Sequence, residues 1–449
     1  MSLPVFDANT RWFFQQRRKA LAKKMGNASI ALIPAATVQW RNHDNPYPFR
    51  QDSDFYYLSG FNEPDALLVV AAKGVAGKKR QSILFTHPHD PEHARWEGER
   101  LGVERAVKTL GVDQAHALEA QSEQLATLLA GAETVYLPFS DRALLDEVMD
   151  CIQELKKRVR AGVSAPRGVF DVTDLIAEQR LIKDSLEIEQ LRQAADLTVK
   201  AHQQVLNHLP KANTETELAG VLHACFAQHG AEPSFPPIVA GGARACVLHY
   251  RDNNQPLPKD GLVLVDAGAE VDLYAGDVTR TWPISGKFSQ PQKEIYQLVL
   301  DAQKAAIAAI KPGVDFDAPH RAAVEVITRG LVEMKLIKGP VADAISQARY
   351  KTFFMHRTGH WLGIDVHDVG AYRKKGQWRK FKPGMVLTVE PGVYIDPTEN
   401  APKRYRGIGV RIEDDVLVTE NGHEVLTAAM PKEVTEIESV LADQPAAND

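Results

Sequence analysis

The stretch GLVLVDAGAEVDLYAGDVTRTWPI, residues 261–284, holds two β-rich runs separated by a turn-length interval. LVLVDAG reads as one strand and YAGDVTRTW as its partner. With the turn centred on Val271–Asp272, Asp266 and Asp277 face each other on one side of the hairpin, Cβ atoms about 5 Å apart. Two carboxylates so placed in a partly buried setting repel each other. Either one stays protonated, as in an aspartic protease, or cations sit between them. The first solution needs two similar lobes, each giving one Asp in a D-[TS]-G turn, and the chain lacks that pattern.

Further carboxylates follow toward the C-terminus. GMVLTVEPGVY (384–394) places Glu390 at a strand end. GIGVRIEDDVLVT (407–419) alternates, so Arg411, Glu413 and Asp415 share one face. FFMHRTGHWLGIDVHDVG (353–370) adds His356, His360 and His367. The four-residue spacing of the first two is that of a zincin helix. Arg357, however, stands where that motif needs Glu, and Gly359 is a poor helix interior. Asp266, Asp277, His360, Glu390 and Glu413 together supply four carboxylates and one imidazole. Two divalent cations balance the four negative charges, a bridging hydroxide leaves about −1, and Arg411 offsets that from behind the ligands. The oxygen-rich set favours Mn²⁺, with Zn²⁺, Co²⁺ or Fe²⁺ as alternatives. Such a pair acidifies a bridging water and clamps a carbonyl oxygen, the two requirements of amide hydrolysis. Taken singly, an Asp on a strand is more often a turn or surface residue, and a lone His more often structural. It is the combination that points to a two-metal hydrolase.

The rest of the chain frames this site. At 449 residues it is too long for one core, and two domains are expected. Residues 1–174 read as an α/β domain. Its β-rich runs at 29–36, 66–72, 81–87 and 134–139 alternate with helical stretches such as 12–25 and 114–130, and 162–174 serves as a linker. Residues 175–449 form the second, α+β domain, opened by a helix capped at Asp184 or Ser185. In that helix Ile188, Leu191, Ala195 and Val199 recur at helical spacing. The ending ADQPAAND reads as a frayed tail.

Composition excludes several classes. Hydrophobic residues make up 44% and charged residues 25%, as in ordinary globular proteins. No apolar run approaches the ~20 residues of a membrane span. A formal net charge of −5 gives no electrostatic reason to expect nucleic acid. Cys151, Cys225 and Cys246 are odd in number and far apart, which fits free thiols in a reducing compartment. The basic start QQRRKALAKKM has no signal-peptide core, so a cytoplasmic location is expected, with a mitochondrial presequence as the weaker option.

The order Asp, Asp, His, Glu, Glu, with VDAGAE…YAGDVTRTWP, HWLGIDVHDVG, LTVEPGVY and GVRIEDDVLVT, resembles the pita-bread-fold metallopeptidases, which include methionine aminopeptidase, prolidase and aminopeptidase P. The likeness spans about 176–440, and LHYRDNNQPL and LIKDSLEIEQLRQAADLT extend it. NPYPFRQDSDFYYLSGFNEPDALLVV and RWEGERLG resemble the N-terminal domain of aminopeptidase P and prolidase, which methionine aminopeptidase lacks. Taken whole, the chain is most similar to bacterial Xaa-Pro aminopeptidases.

The resemblance implies that Asp266 binds one metal, Asp277 and Glu413 bridge both, and His360 and Glu390 bind the other. It implies that His249, His356 and His367 line the substrate site, and that Glu390 carries the proton from the attacking hydroxide to the departing proline nitrogen. A pocket shaped by His356, Tyr394 and Arg411 would take the pyrrolidine ring. Asp266 or Asp44 would meet the substrate's α-amine, and Trp96 matches a position that reaches a neighbouring subunit's site, with plain packing as the alternative. Two positions depart from the pattern: Arg357 stands where many relatives have Gly, and Phe235 where they often have Tyr.

The function so implied is removal of the first residue from peptides with proline second. Prolidase activity on Xaa-Pro dipeptides is the alternative. A non-catalytic pita-bread binding protein is disfavoured by the complete ligand set. A homo-oligomer, dimer or tetramer, is expected from the resemblance alone.

Overall fold

The computed structural model describes residues 6–443, so the last six residues of the tail, 444–449, lie outside it. The chain divides into two compact units, Met1–Arg180 and Leu181–Asp449.

The first unit is built on a six-stranded mixed sheet. Its order is Gln114–Ala117, Gln81–Thr86, Leu67–Ala71, Ser29–Pro34, Thr134–Leu137 and Gly168–Asp171. The three strands from Ser29 to Thr86 pair antiparallel, and the outer ones join in parallel. Leu67–Ala71 is buried along its whole length, as expected of an apolar run covered on both faces. The N-terminal helix starts at Ala8, four residues before the periodic pattern, because the Asp7 side chain caps it by accepting from the Thr10 N–H at 2.7 Å. The stretch 114–130 is not one helix. Gln114–Ala117 adds a parallel edge strand beside Ile83–Thr86, and the helix begins at Gln121. Pairing to a waiting sheet edge outweighs local propensity there. Likewise the stretch read as a linker contributes the strand Gly168–Asp171 and the start of the helix Thr173–Arg180.

The second unit opens with the helix Ser185–His208. Asp184 caps it in a reciprocal box with Glu187, and Leu191, Ala195 and Val199 are buried. Antiparallel groups of strands follow, among them Ile238–Gly241, Leu262–Ala267 and Val278–Pro283; Val386–Val389, Asp414–Val418 and His423–Val425; and Gly392–Ile395 with Ile408–Arg411. The helices Ser185–His208, Glu215–Gln228, Gln290–Ala308 and Ala318–Glu333 pack with them around one apolar core. This is the α+β arrangement expected of the second domain.

The hairpin at 261–284 forms, but in another register. Its turn is Asp272–Leu273, with φ of 47° and 68°, the signature of a two-residue type I′ turn. Val271 therefore pairs with Tyr274, and Asp266 lies opposite Thr279 rather than Asp277. The slip is two residues, an even number, so Asp266 and Asp277 keep the same side of the ladder.

Candidate active site

Each carboxylate sits at or beside a strand end. Asp266 occupies the penultimate position of Leu262–Ala267, and Asp277 directly precedes Val278–Pro283. Glu390 follows Val386–Val389, with its N–H bound to the Thr358 carbonyl at 2.8 Å. Glu413 lies between Ile408–Arg411 and Asp414–Val418, its N–H bound to the Thr279 carbonyl at 3.0 Å. The histidine segment is extended, not helical. It runs along Val386–Val389, with Thr388 N–H to the His360 carbonyl at 2.9 Å and Leu362 N–H to the Val386 carbonyl at 3.1 Å. Gly359 is required by that approach, since a Cβ there would lie 2.0 Å from the Thr388 carbonyl oxygen.

Asp277, His360 and Glu413 present ligand atoms within 4.8 Å of one another. His360 Nε2 is 3.4 Å from Asp277 Oδ2 and 3.8 Å from Glu390 Oε1. Its Nδ1 lies 3.0 Å from the Trp361 carbonyl, which places the proton on Nδ1 and leaves Nε2 free to ligate. Of the three histidines in the segment, only His360 belongs to this cluster.

The electrostatics suit cations. Burial, reinforced by Asp266, Asp415 and Glu390, pushes the Asp277 carboxyl well above its usual range. Burial with Asp277 and Glu390 does the same to Glu413. Burial raises Glu390 to about 7, although His360 and Arg411 pull it down. Asp266 Oδ1 is buried without a partner. One guanidinium, Arg411, faces four carboxylates, and such a set fits two divalent cations.

Arg411 is fully engaged. It donates through Nη2 to Asp266 at 2.6 Å, through Nε to Thr279 Oγ1 at 3.0 Å and through Nη1 to the Tyr394 hydroxyl at 3.0 Å. Tyr394 in turn meets His356 Nε2 at 2.9 Å, while His356 Nδ1 faces the Arg357 carbonyl at 2.7 Å. Burial, then Arg411, lowers His356 to about 3, so its ring is neutral. The His367 ring lies edge-on to that of His360, centroids 4.3 Å apart.

These groups open onto a cavity of about 1030 Å³ formed wholly by the second unit. Asp266, Asp277, His360, Glu390 and Glu413 line it, with His249, His356, His367, Phe235 and Arg411. Tyr394 stands behind His356 and Arg411. Asp44 and Trp96 belong to the first unit. Asp44 is exposed beside the short Asn45–Pro46 strand, and Trp96 is 83% exposed on the helix Pro91–Glu97.

The sequence reading missed three contributions. Thr279 Oγ1 donates to Glu413 Oε2 at 2.7 Å and accepts from Arg411, and its place two residues after Asp277 was the available signal. Asp415 Oδ2 accepts the Asp277 N–H at 3.1 Å, and its Oδ1 is buried without a partner. Alternation had put Asp415 on the right face without giving it a task. Arg251, Arg373 and Trp378 also line the cavity; Arg251 lies in LHYRDNNQPL but was given no role, and no motif marked the other two.

Comparison with known proteins gives the same direction. Residues 189–420 match the model of metallopeptidase family M24, and residues 14–136 that of the aminopeptidase P N-terminal domain. The chain is 42% identical to the Xaa-Pro aminopeptidase of Escherichia coli, over 96% of this chain and 98% of that protein. It is similar to the structure of E. coli aminopeptidase P with the inhibitor Pro-Leu, at a TM-score of 0.92 and 42% identity over 96% and 98% of the two chains. A zinc-substituted E. coli aminopeptidase P in complex with product gives a TM-score of 0.93 at 41% identity, over 98% and 99%.

Proposed function

The chain belongs to metallopeptidase family M24, and on that footing we propose that it hydrolyses the Xaa-Pro bond at the N-terminus of peptides, releasing the first residue. The observation that carries this reading is the Asp277–His360–Glu413 cluster at the floor of a cavity large enough for a peptide.

Asp277 and Glu413 would bridge two cations, Asp266 would complete one coordination sphere, and His360 with Glu390 the other. The oxygen-rich set favours Mn²⁺. When bound, such a pair supplies an acidified water and a polarised carbonyl. The chain's own groups do the rest. Glu390, beside His360 on the cavity floor, can take a proton from the nucleophile and pass it to the proline nitrogen. His356 is held neutral by burial and oriented by Tyr394, so it can hydrogen-bond a peptide carbonyl without adding charge. His249 and His367 stand on the same cavity wall. An Xaa-Pro amide has no N–H, so a site must recognise it by ring shape and carbonyls. His356 and Arg411 offer the ring a surface on the cavity wall, and Tyr394 behind them ties the two together.

Three free cysteines support work in a reducing cytoplasm. Among the described residues no helix is long and apolar enough to cross a membrane. The exposed Trp96 supports a homo-oligomer in which it packs on another copy, and Asp266 or Asp44 would serve the substrate's amine. The test is hydrolysis by metal-stripped protein resupplied with Mn²⁺. Release of the first residue from a longer peptide with proline second is expected. Cleavage of Xaa-Pro dipeptides alone would make the chain a prolidase.

A further inference from the structure

We propose that Arg373 and Arg357, both set against the Trp378 indole at the cavity wall, form a subsite for a carboxylate on the departing side of the substrate. The chain would then prefer peptides that carry negative charge just beyond the proline. The inference rests on the Xaa-Pro reading above.

The cavity is polar in the electrical sense. Its floor gathers Asp266, Asp277, Glu390 and Glu413, while Arg251, Arg357 and Arg373 line the same space. Arg373 and Trp378 are cross-strand partners in a short hairpin, Arg373–Lys374 with Gln377–Trp378. Its turn, Lys375–Gly376, has φ of 51° and 79°, again a two-residue type I′ geometry that fixes the register. The Arg373 Cζ lies 3.9 Å from the Trp378 ring centroid, and the Arg357 Cζ lies 5.0 Å from it. A guanidinium on an aromatic face keeps its N–H edge free, and that edge matches a carboxylate in bidentate fashion. The two arginines differ. Arg357 is ion-paired with Asp317, which Arg321 also holds at 2.9 Å. Arg373 is exposed, and no carboxylate pairs with it among the described residues. Arg373 is therefore the receiving cation, and Arg357 steadies the indole it rests on.

Direction follows from the reaction. An aminopeptidase places the substrate's N-terminus and first carbonyl at the carboxylate floor. Each residue beyond advances about 3.3 Å along an extended chain, which would carry the departing side along the wall lined by Arg373. The group met there is an acidic side chain at the third position or the terminal carboxylate of a tripeptide.

The experiment measures kcat and KM for four peptides with the same first two residues. The third residue is Glu-amide, Lys-amide, Ala-amide or Ala with a free carboxylate. Wild type is compared with R373E, R373K and R357M at low and high salt, each variant first checked by thermal melting. Wild type should favour Glu-amide and the free acid over Ala-amide by about 3- to 10-fold, mostly in KM, with Lys-amide last. Salt should compress the range, R373K should keep part of it and R373E should invert it. An advantage confined to the free acid assigns the subsite to the chain terminus, and one confined to Glu-amide to the side chain. Equal KM for all four peptides, or an unchanged ranking in R373E, would overturn the subsite while leaving the peptidase reading intact. Failure to cleave any of the four would overturn both.

Discussion

Tyr394 ties the substrate side of the site to the metal side. Its hydroxyl accepts from Arg411 and donates to His356, and Arg411 goes on to Asp266. Burial raises the phenol to about 12, so it stays protonated and the chain of bonds keeps one polarity. Tyr394→Phe removes two hydrogen bonds without changing shape. About a tenfold loss in kcat/KM is expected, with metal content unchanged. Asp277 acts differently, because it faces both His360 and the other carboxylates. Asp277→Asn should abolish activity and lower bound metal together, read by elemental analysis and peptide assay on one preparation. An active Asp277→Asn protein would mean that Asp277 does not bridge.

At the scale of elements, the site depends on segments that sequence periodicity describes poorly. The ligand-bearing strands were legible: the apolar run before Glu390 marked Val386–Val389, and alternation in the 407–419 run put Arg411, Glu413 and Asp415 on one side. The register at 261–284 was not legible, because it turns on two positive-φ residues, Asp272 and Leu273, and Leu gives no turn signal. The His360 segment was half legible. Gly359 argued against a helix, but only the structure shows that it lies against the Thr388 carbonyl. Gly359→Ala should force that contact apart, lowering stability by about 2–4 kcal/mol and displacing His360. Thermal unfolding with and without Mn²⁺ would read both effects, and a wild-type melting curve in both conditions would refute the close approach.

For the whole molecule, two units and their fold classes could be read from length and pattern, whereas the full wall of the second unit's cavity could not. Arg251 and Trp378 come from distant parts of the chain and meet only through tertiary packing. The same packing buries four carboxylates around one guanidinium, with a consequence for stability. Burial raises the folded-state values of Asp277, Glu413 and Glu390, the last to about 7. Raised carboxyls favour the folded state while protonated, so their contribution is fully present below about pH 4 and is lost as pH rises through their raised values, about 7 for Glu390. The metal-free protein should therefore melt at lower temperature at pH 8 than at pH 5. Mn²⁺ should restore the loss most at pH 8, since ligation stabilises the native state by mass action. A melting temperature independent of pH and metal would contradict the charge balance.

The most direct measurement is a titration of metal-stripped protein with Mn²⁺, following bound metal and first-residue release from a longer peptide with proline second. Two equivalents bound per chain, with release rising as they bind, is the expected result. Full cleavage by protein that holds no metal, or saturation with metal and no cleavage of that peptide, would contradict it.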